Sequence, residues 1–250
     1  MKYVITGSAG NISRPLAERL LAEGHEVTVI GRSKEHLKPL TDKGAKAAVG
    51  TVEDAAFLKE AFAGADAAYT MTPPQAAGGK NMYEEVAANY AGAIKANNIR
   101  YVVNLTATGA HLAEGAGPVS GLYLTERELN KLSDVNILHL RPGFFYVNFF
   151  GNIGMIRDMG ILGGNYGDSN AKLVLSYPED IAETAAEILL ELSFKGHGVR
   201  YHASDERTLG DVARVLGAAV GKPDLPWVQF TDEQAYEGMV GAGIPEVMAS

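Results

Sequence analysis

Residues 6–13 read Thr6-Gly7-Ser8-Ala9-Gly10-Asn11-Ile12-Ser13. They follow the β-like run that begins at Tyr3 and precede a stretch with leucines at Leu16, Leu20 and Leu21. Strand, glycine turn, then helix spacing is the context in which a turn can cradle phosphates. Gly7 allows the tight turn, and Gly10 removes a side chain where a pyrophosphate must approach the backbone. The first free N–H groups of the helix then face the anion, helped by the helix dipole. Thr6, Gly7, Ser8, Gly10, Asn11 and Ile12 are the expected cofactor contacts of this turn. Ser13 stands where the usual pattern has a third glycine, and a serine is small enough for close helix–strand packing. An ordinary glycine-rich turn would carry similar residues; the strand before it and the βα unit after it favour the phosphate reading.

Outward from this turn, short apolar runs alternate with helical patterns. Tyr3 to Thr6, Val27 to Ile30, Ala45 to Val49, Ala67 to Met71, Tyr101 to Leu105 and Asn136 to Leu140 read as strands. Helical spacing covers Arg14 to Glu23, Asp54 to Phe62, Asn81 to Asn97 and Leu122 to Leu132. The alternation predicts an α/β protein with a doubly wound parallel sheet, whose ligands bind at the carboxyl edge of the strands. After Arg141 the rhythm changes, with glycine and asparagine frequent from Gly151 to Asn170. A helix from Pro178 to Leu192, a strand near Val199 to Ala203 and a helix from Leu209 to Val220 follow. The expected division is a dinucleotide-binding core over residues 1–150 and a smaller covering lobe over 151–250.

The second strand selects the cofactor. An NAD site usually ends that strand with Asp or Glu for the ribose 2′-hydroxyl. Here it ends Gly31-Arg32-Ser33-Lys34. Arg32, with Ser33 beside it, suits the 2′-phosphate of NADP(H), so NADP(H) is expected ahead of NAD(H). A solvated loop arginine is the alternative. Met71-Thr72-Pro73 closes the fourth strand, where the cofactor would pass; loop structure alone would also account for it.

Composition narrows the partners. Hydrophobic residues make up 46% of the 250, and a formal net charge of −8 argues against nucleic-acid binding. No stretch approaches the roughly 18 apolar residues of a membrane span. The absence of cysteine excludes disulfides and thiolate metal sites and fits a reducing cytoplasm. The six histidines show no close metal-ligand spacing, so no metal is expected. A small-molecule substrate is expected, with a regulatory protein partner or a homodimer left open.

The turn at residues 6–13, Gly31-Arg32-Ser33, the segment Asn104-Leu105-Thr106-Ala107-Thr108-Gly109-Ala110-His111 and the block Leu140-Arg141-Pro142-Gly143-Phe144-Phe145-Tyr146-Val147-Asn148 together resemble the NmrA-like branch of the atypical short-chain dehydrogenases. The block order matches over most of residues 1–200. The resemblance implies a Rossmann core, a small C-terminal lobe and an NADP(H) or NAD(H) site. Members divide between NADPH-dependent reductases, including quinone and isoflavone-type reductases, and proteins that only sense the cofactor. Their C-terminal lobes are often longer than this one, which stops soon after Ile244-Pro245-Glu246.

The wider superfamily handles protons with a Ser/Thr and a Tyr-x-x-x-Lys pair. The candidates here are Thr106, which would also touch the cofactor, with Tyr123 and Arg127. Tyr123 and Arg127 are one helical turn apart. Arginine could favour a tyrosinate and hold ribose hydroxyls, although its geometry differs from that of lysine. A boundary tyrosine beside an arginine that pairs with a neighbouring acid is the equally weighted alternative. His111 lies in the loop after strand five, either near the nicotinamide or simply solvated. Phe144 and Asn148, expected one turn apart, are the preferred substrate contacts. The leading expectation is an NADPH-dependent oxidoreductase acting on a small quinone or carbonyl. A non-catalytic redox sensor is the alternative, and a sugar-nucleotide epimerase or dehydratase ranks third.

Overall fold

The computed structural model describes residues 1–73, 79–241, 243 and 246. In chain order the first elements are β1 (Lys2–Ile5), α1 (Ser13–Ala22), β2 (Glu26–Gly31), α2 (Lys34–Thr41), β3 (Lys46–Val49), α3 (Ala55–Ala61), β4 (Ala67–Met71), α4 (Gly79–Ala96), β5 (Tyr101–Leu105), α5 (Ser120–Leu129) and β6 (Asn136–Pro142). There follow β7 (Phe144–Phe145), β8 (Leu162–Gly164), β9 (Lys172–Ser176), α6 (Pro178–Glu191), β10 (His197–His202), β11 (Asp205–Thr208), α7 (Leu209–Ala219), β12 (Trp227–Gln229) and α8 (Asp232–Gly241).

Two compact units result: residues 1–141 with 178–202, and residues 142–177 with 203–250. The expected break at residue 150 takes another form, because the chain re-enters the first unit after β9. There α6 packs on α1, and β10 joins the edge of the main sheet beside β6.

The first unit carries seven strands in the order β10-β6-β5-β4-β1-β2-β3. Pairings from β3 through β6 are all parallel. This is the doubly wound Rossmann arrangement, and the order reverses between β1 and β4. The central strands are mostly apolar because helices cover both faces. On one face Val4, Ile30, Ala68, Val102 and Ile137 meet Phe62, Val86, Tyr90 and Ile94, all essentially excluded from solvent. On the other, the Tyr3 hydroxyl donates to the Leu189 carbonyl at 3.0 Å and ties β1 to α6.

Helix α2 was not legible as a helix, since its segment is strongly polar and contains Pro39. Ser33 caps it by accepting from the His36 N–H at 3.4 Å, and Leu37 and Leu40 enter the core. These local contacts outweigh the missing proline N–H.

The second unit has a three-stranded sheet, β11-β9-β7, and a two-stranded one, β12-β8. Ile156, Leu162, Leu175, Val212 and Leu225 form its core, with Phe144, Phe149 and Trp227 packed against it. Gly143 is required there: a Cβ would lie 2.5 Å from the Val174 carbonyl oxygen.

A polar line crosses the interior of the main sheet. Thr70, Asn104 and His139 are register partners on β4, β5 and β6. The Thr70 hydroxyl donates to Asn104 Oδ1 at 2.9 Å, and Asn104 Nδ2 lies 3.1 Å from His139 Nδ1. His139 Nε2 lies 3.0 Å from Asn130 Oδ1 at the end of α5. An amide donating to Nδ1 and a carbonyl oxygen accepting from Nε2 hold the ring as the neutral Nε2–H tautomer. Burial pushes its pKa down to about 4; Glu126 pulls up, while Arg141 and His197 push down. At neutral pH both folded and unfolded imidazoles are uncharged. As pH falls below the ordinary histidine range, only the unfolded chain takes up the proton, so stability drops until the folded ring titrates too. Between pH 6.5 and 4 the loss from this residue is expected to reach about 3 kcal/mol. Urea melts across that range should show the decline, and His139→Asn should flatten it. An equal slope in both proteins would remove the assignment.

Candidate active site

The turn after β1 is built from its hydrogen bonds. The Gly10 N–H donates to the Gly7 carbonyl at 2.9 Å and the Arg14 N–H to the Gly10 carbonyl at 3.1 Å. Ile12 gives α1 no side-chain cap. Among the described residues, the N–H groups of Asn11, Ile12 and Ser13 make no backbone hydrogen bond. Three amides at the positive end of a ten-residue helix are thereby left for an anion.

Gly7 has φ +66°, and a Cβ there would stand 2.6 Å from Met71 Sδ. A Cβ at Gly10 would stand 3.1 Å from the Gly7 carbonyl oxygen. The residues present therefore fit a pyrophosphate: Gly7 and Gly10 bring no side chain, and the amides of Asn11, Ile12 and Ser13 have no backbone partner among the described residues.

Two residues expected at this cradle are placed in the sheet instead. Ser8 is fully buried. Its N–H donates to the Ile30 carbonyl at 3.1 Å, and its hydroxyl donates to the Ile5 carbonyl at 2.7 Å while accepting from the Ile30 N–H at 3.0 Å. Ser8 thus ties β1 to β2, and these donors are not left for a ligand. Thr6 does the same toward β4: Oγ1 accepts from the Met71 N–H at 2.9 Å and lies 3.3 Å from the Tyr90 hydroxyl. Both fix the turn rather than line it.

Arg32 lies exposed just past β2 and makes no ion pair among the described residues. Ser33 beside it is the α2 cap. At the end of β4, the Met71 carbonyl accepts from Tyr90 at 2.7 Å, and the Thr72 and Thr125 hydroxyls lie 3.3 Å apart, which links β4 to α5. Pro73 follows, half-buried.

Around Thr106 the structure departs most from the expected constellation. The Thr106 hydroxyl donates to Glu126 Oε1 at 2.8 Å. Glu126 also binds the Arg141 guanidinium, with Nε to Oε1 at 2.9 Å and Nη2 to Oε2 at 2.5 Å. Arg141 Nη1 donates to the Tyr201 hydroxyl at 3.1 Å. The pair is almost fully buried, and the hydrogen bonds that Arg141 donates to Glu126 raise the Arg141 pKa above its ordinary value. Arg127, by contrast, sits on the outer side of α5, 2.9 Å from Glu84 on α4 and 6.0 Å above the Tyr123 ring. Tyr123 and Arg127 thus share a face as their spacing requires, but Arg127 is engaged by an acid and Thr106 is held by Glu126.

Sequence reasoning missed this pair although its signal was present. Arg141 interrupts an apolar central strand, and Glu126 shares a helix face with Leu122 and Leu129. Charges at such positions need partners.

His111 is exposed in its loop. Phe144 and Asn148 are not one helical turn apart. Phe144 belongs to β7, which pairs with β9, and the 3-10 segment Tyr146–Asn152 that holds the exposed Asn148 starts only afterwards. The Phe144 ring packs 5.0 Å from Phe149 and 5.7 Å from Tyr166. Among the described residues no helix is long and apolar enough to cross a membrane, and no group of three His, Cys, Asp or Glu could hold a metal.

A profile described as NAD(P)H-binding matches residues 7–146, more than half of the chain and from the phosphate turn through β6. The chain belongs to this NAD(P)H-binding family. Its expected place among the NmrA-like, atypical short-chain dehydrogenases agrees with that assignment. An NAD(P)H azoreductase from Xenophilus azovorans is 24% identical over 249 residues, covering 98% of this chain and 83% of the azoreductase. An NADPH-dependent quinone oxidoreductase from Escherichia coli, solved with NADPH, superposes with a TM-score of 0.81 at 21% identity, covering 99% of this chain and 85% of that one. A nucleoside-diphosphate-sugar epimerase from Staphylococcus aureus gives 0.82 at 15% identity, covering 100% and 88%. Reductase and epimerase are matched equally well, so these superpositions speak for the fold and leave the reaction to the site.

Proposed function

We propose that the chain is an NADPH-dependent reductase acting on a small quinone or carbonyl compound. The observation that carries this reading is the set of amides of Asn11, Ile12 and Ser13, without a backbone partner among the described residues, beside side-chain-free Gly10, with Arg32 past the end of the next strand and in no ion pair among those residues. The whole-length likeness to an NAD(P)H azoreductase supports it. When bound, the nicotinamide supplies a hydride. The chain's own residues bind and orient: the α1 amides would hold the pyrophosphate, Arg32 the 2′-phosphate, and Met71, Thr72, Pro73 and Thr106 the edge toward the nicotinamide. Stopped-flow oxidation of NADPH against a panel of quinones and carbonyl compounds tests the activity; the absence of turnover across the panel would overturn it.

Cofactor choice is tested separately. Arg32→Glu removes a guanidinium fork and puts a like charge beside the 2′-phosphate. NADPH affinity should fall by roughly 100-fold, and NADH affinity by less than about threefold, which corresponds to selective loss of a charge-assisted contact. Calorimetric titration of both nucleotides reads this out. Equal losses would mark Arg32 as a bystander.

One observation favours a second reading, a cofactor-dependent regulator without turnover. The Tyr-x-x-x-Lys machinery is not reproduced, since Arg127 is tied to Glu84 and the Thr106 proton to Glu126. A regulator of this kind would bind a protein partner with different affinities in its NADPH and NADP⁺ forms, because a ligand shifts only equilibria between states it binds unequally.

A further inference from the structure

Resting on the reading of residues 6–13 as a dinucleotide site, we propose that Glu126 is a positioning residue that fixes Thr106 as a hydrogen-bond acceptor toward the bound dinucleotide. Thr106 stands one residue past β5, at the carboxyl edge of the sheet, and its N–H is held by the Leu140 carbonyl at 2.8 Å. Two groups face its hydroxyl: Glu126 Oε1 at 2.8 Å and the Leu140 carbonyl oxygen at 3.4 Å. Both are acceptors. Whichever takes the proton, it is the proton that is used, and among the described residues no donor reaches Oγ1.

Glu126 cannot reverse this polarity. Its two oxygens accept from Arg141 Nε and Nη2, and the pair is buried, with side-chain exposures of 9% for Arg141 and 6% for Glu126. Arg141 is itself oriented by the Tyr201 hydroxyl at 3.1 Å and the Tyr201 ring, whose centroid is 5.8 Å away. With a guanidinium N–H aimed at each of its oxygens, the carboxyl group faces the threonine as an acceptor.

The threonine oxygen therefore offers lone pairs only. It suits the N–H₂ of a carboxamide or a ribose hydroxyl, both found at the nicotinamide end of a dinucleotide. It does not suit a substrate carbonyl oxygen, since two acceptors would face each other. Thr106 so placed binds cofactor and does not protonate substrate, which reverses the role its position suggests by analogy with a catalytic serine or threonine.

The test is NADPH affinity, measured by calorimetry. Thr106→Val keeps the side-chain shape and removes the acceptor, and should weaken NADPH about tenfold, the value of one hydrogen bond. Thr106→Ser should stay within about twofold of wild type. In Glu126→Gln the amide can donate to Thr106, and the Leu140 carbonyl at 3.4 Å is too distant to hold the hydroxyl proton firmly, so the proton turns outward. That variant should also weaken NADPH about tenfold, and adding Thr106→Val to it should bring no further loss. A merely structural Glu126 would lower the melting temperature and leave Kd alone. Wild-type affinity in Thr106→Val, or additive losses in the double variant, would overturn the proposal; the Val/Ser comparison decides it even if the glutamine variant does not fold. Failure of the wild-type chain to bind NADPH would instead remove the dinucleotide site on which the proposal rests.

Discussion

Gly10→Asp is expected to weaken NADPH by more than about 100-fold while leaving the fold intact. The two effects separate here because Gly10 is exposed and its backbone lies outside the left-handed region, so a side chain is sterically permitted there. The nearest atom to its Cβ would be the Gly7 carbonyl oxygen at 3.1 Å, a contact relieved by a few tenths of an ångström. Destabilisation should stay near 1 kcal/mol, the range of a mild steric adjustment. Binding is a different matter. A carboxylate about 4 Å from a phosphate repels it by roughly 4 kcal/mol at the effective dielectric of a protein surface, and even half of that is more than tenfold in Kd. The side chain would also stand where the pyrophosphate approaches the α1 amides. Gly10→Asn supplies the same bulk without the charge and should fall between wild type and Gly10→Asp, with the gap between the variants narrowing as salt is added. Gly7 would be a poorer probe. A residue there meets φ +66° and Met71 Sδ at 2.6 Å, so folding and binding would fail together. If Gly10→Asp bound NADPH like wild type at an unchanged melting temperature, no diphosphate could rest on this turn.

Legibility followed the range of the interactions involved. The β4 strand Ala67–Met71 and the β5 strand Tyr101–Leu105 coincide with their predominantly apolar runs, which Thr70 and Asn104 interrupt once each, because a strand buried on both faces by helices writes itself into the sequence as hydrophobicity. The glycine turn was legible for the same reason: Gly7 and Gly10 answer to local geometry. Strands fixed by distant partners were not. Asp205-Glu206-Arg207-Thr208 is polar throughout and becomes β11 only by pairing antiparallel with Lys172–Ser176. Phe144 and Phe145 looked like the start of a helical turn and are a strand because β9 lies beside them. In the site, spacing put Tyr123 and Arg127 on one face of α5, as observed. It could not say that Glu84 of α4 would take the arginine, or that Glu126 rather than Tyr123 would take the Thr106 hydroxyl.

The second large effect concerns that same pair. Glu126→Ala is expected to destabilise the protein by about 3–5 kcal/mol, because it leaves a buried guanidinium without its counter-charge. Arg141 cannot escape by losing its proton, as a buried lysine does, and Tyr201 satisfies one edge of its fork. For a chain of 250 residues such a loss corresponds to a fall in melting temperature of roughly 6–20 °C, read by calorimetric unfolding. Arg141→Leu removes the other partner and leaves the Glu126 carboxylate buried without its guanidinium, a loss of the same order. The double variant Glu126→Leu, Arg141→Met places apolar side chains of similar volume in the same space, and should regain at least half of the loss of either single change. Burying an ion pair yields little net stability over burying an apolar pair, yet breaking it is costly. A cost below about 1 kcal/mol for Glu126→Ala would mean that water reaches the guanidinium. The carboxylate would then be free to exchange its partners, and its hold on the Thr106 proton would be no firmer than that of any surface acid.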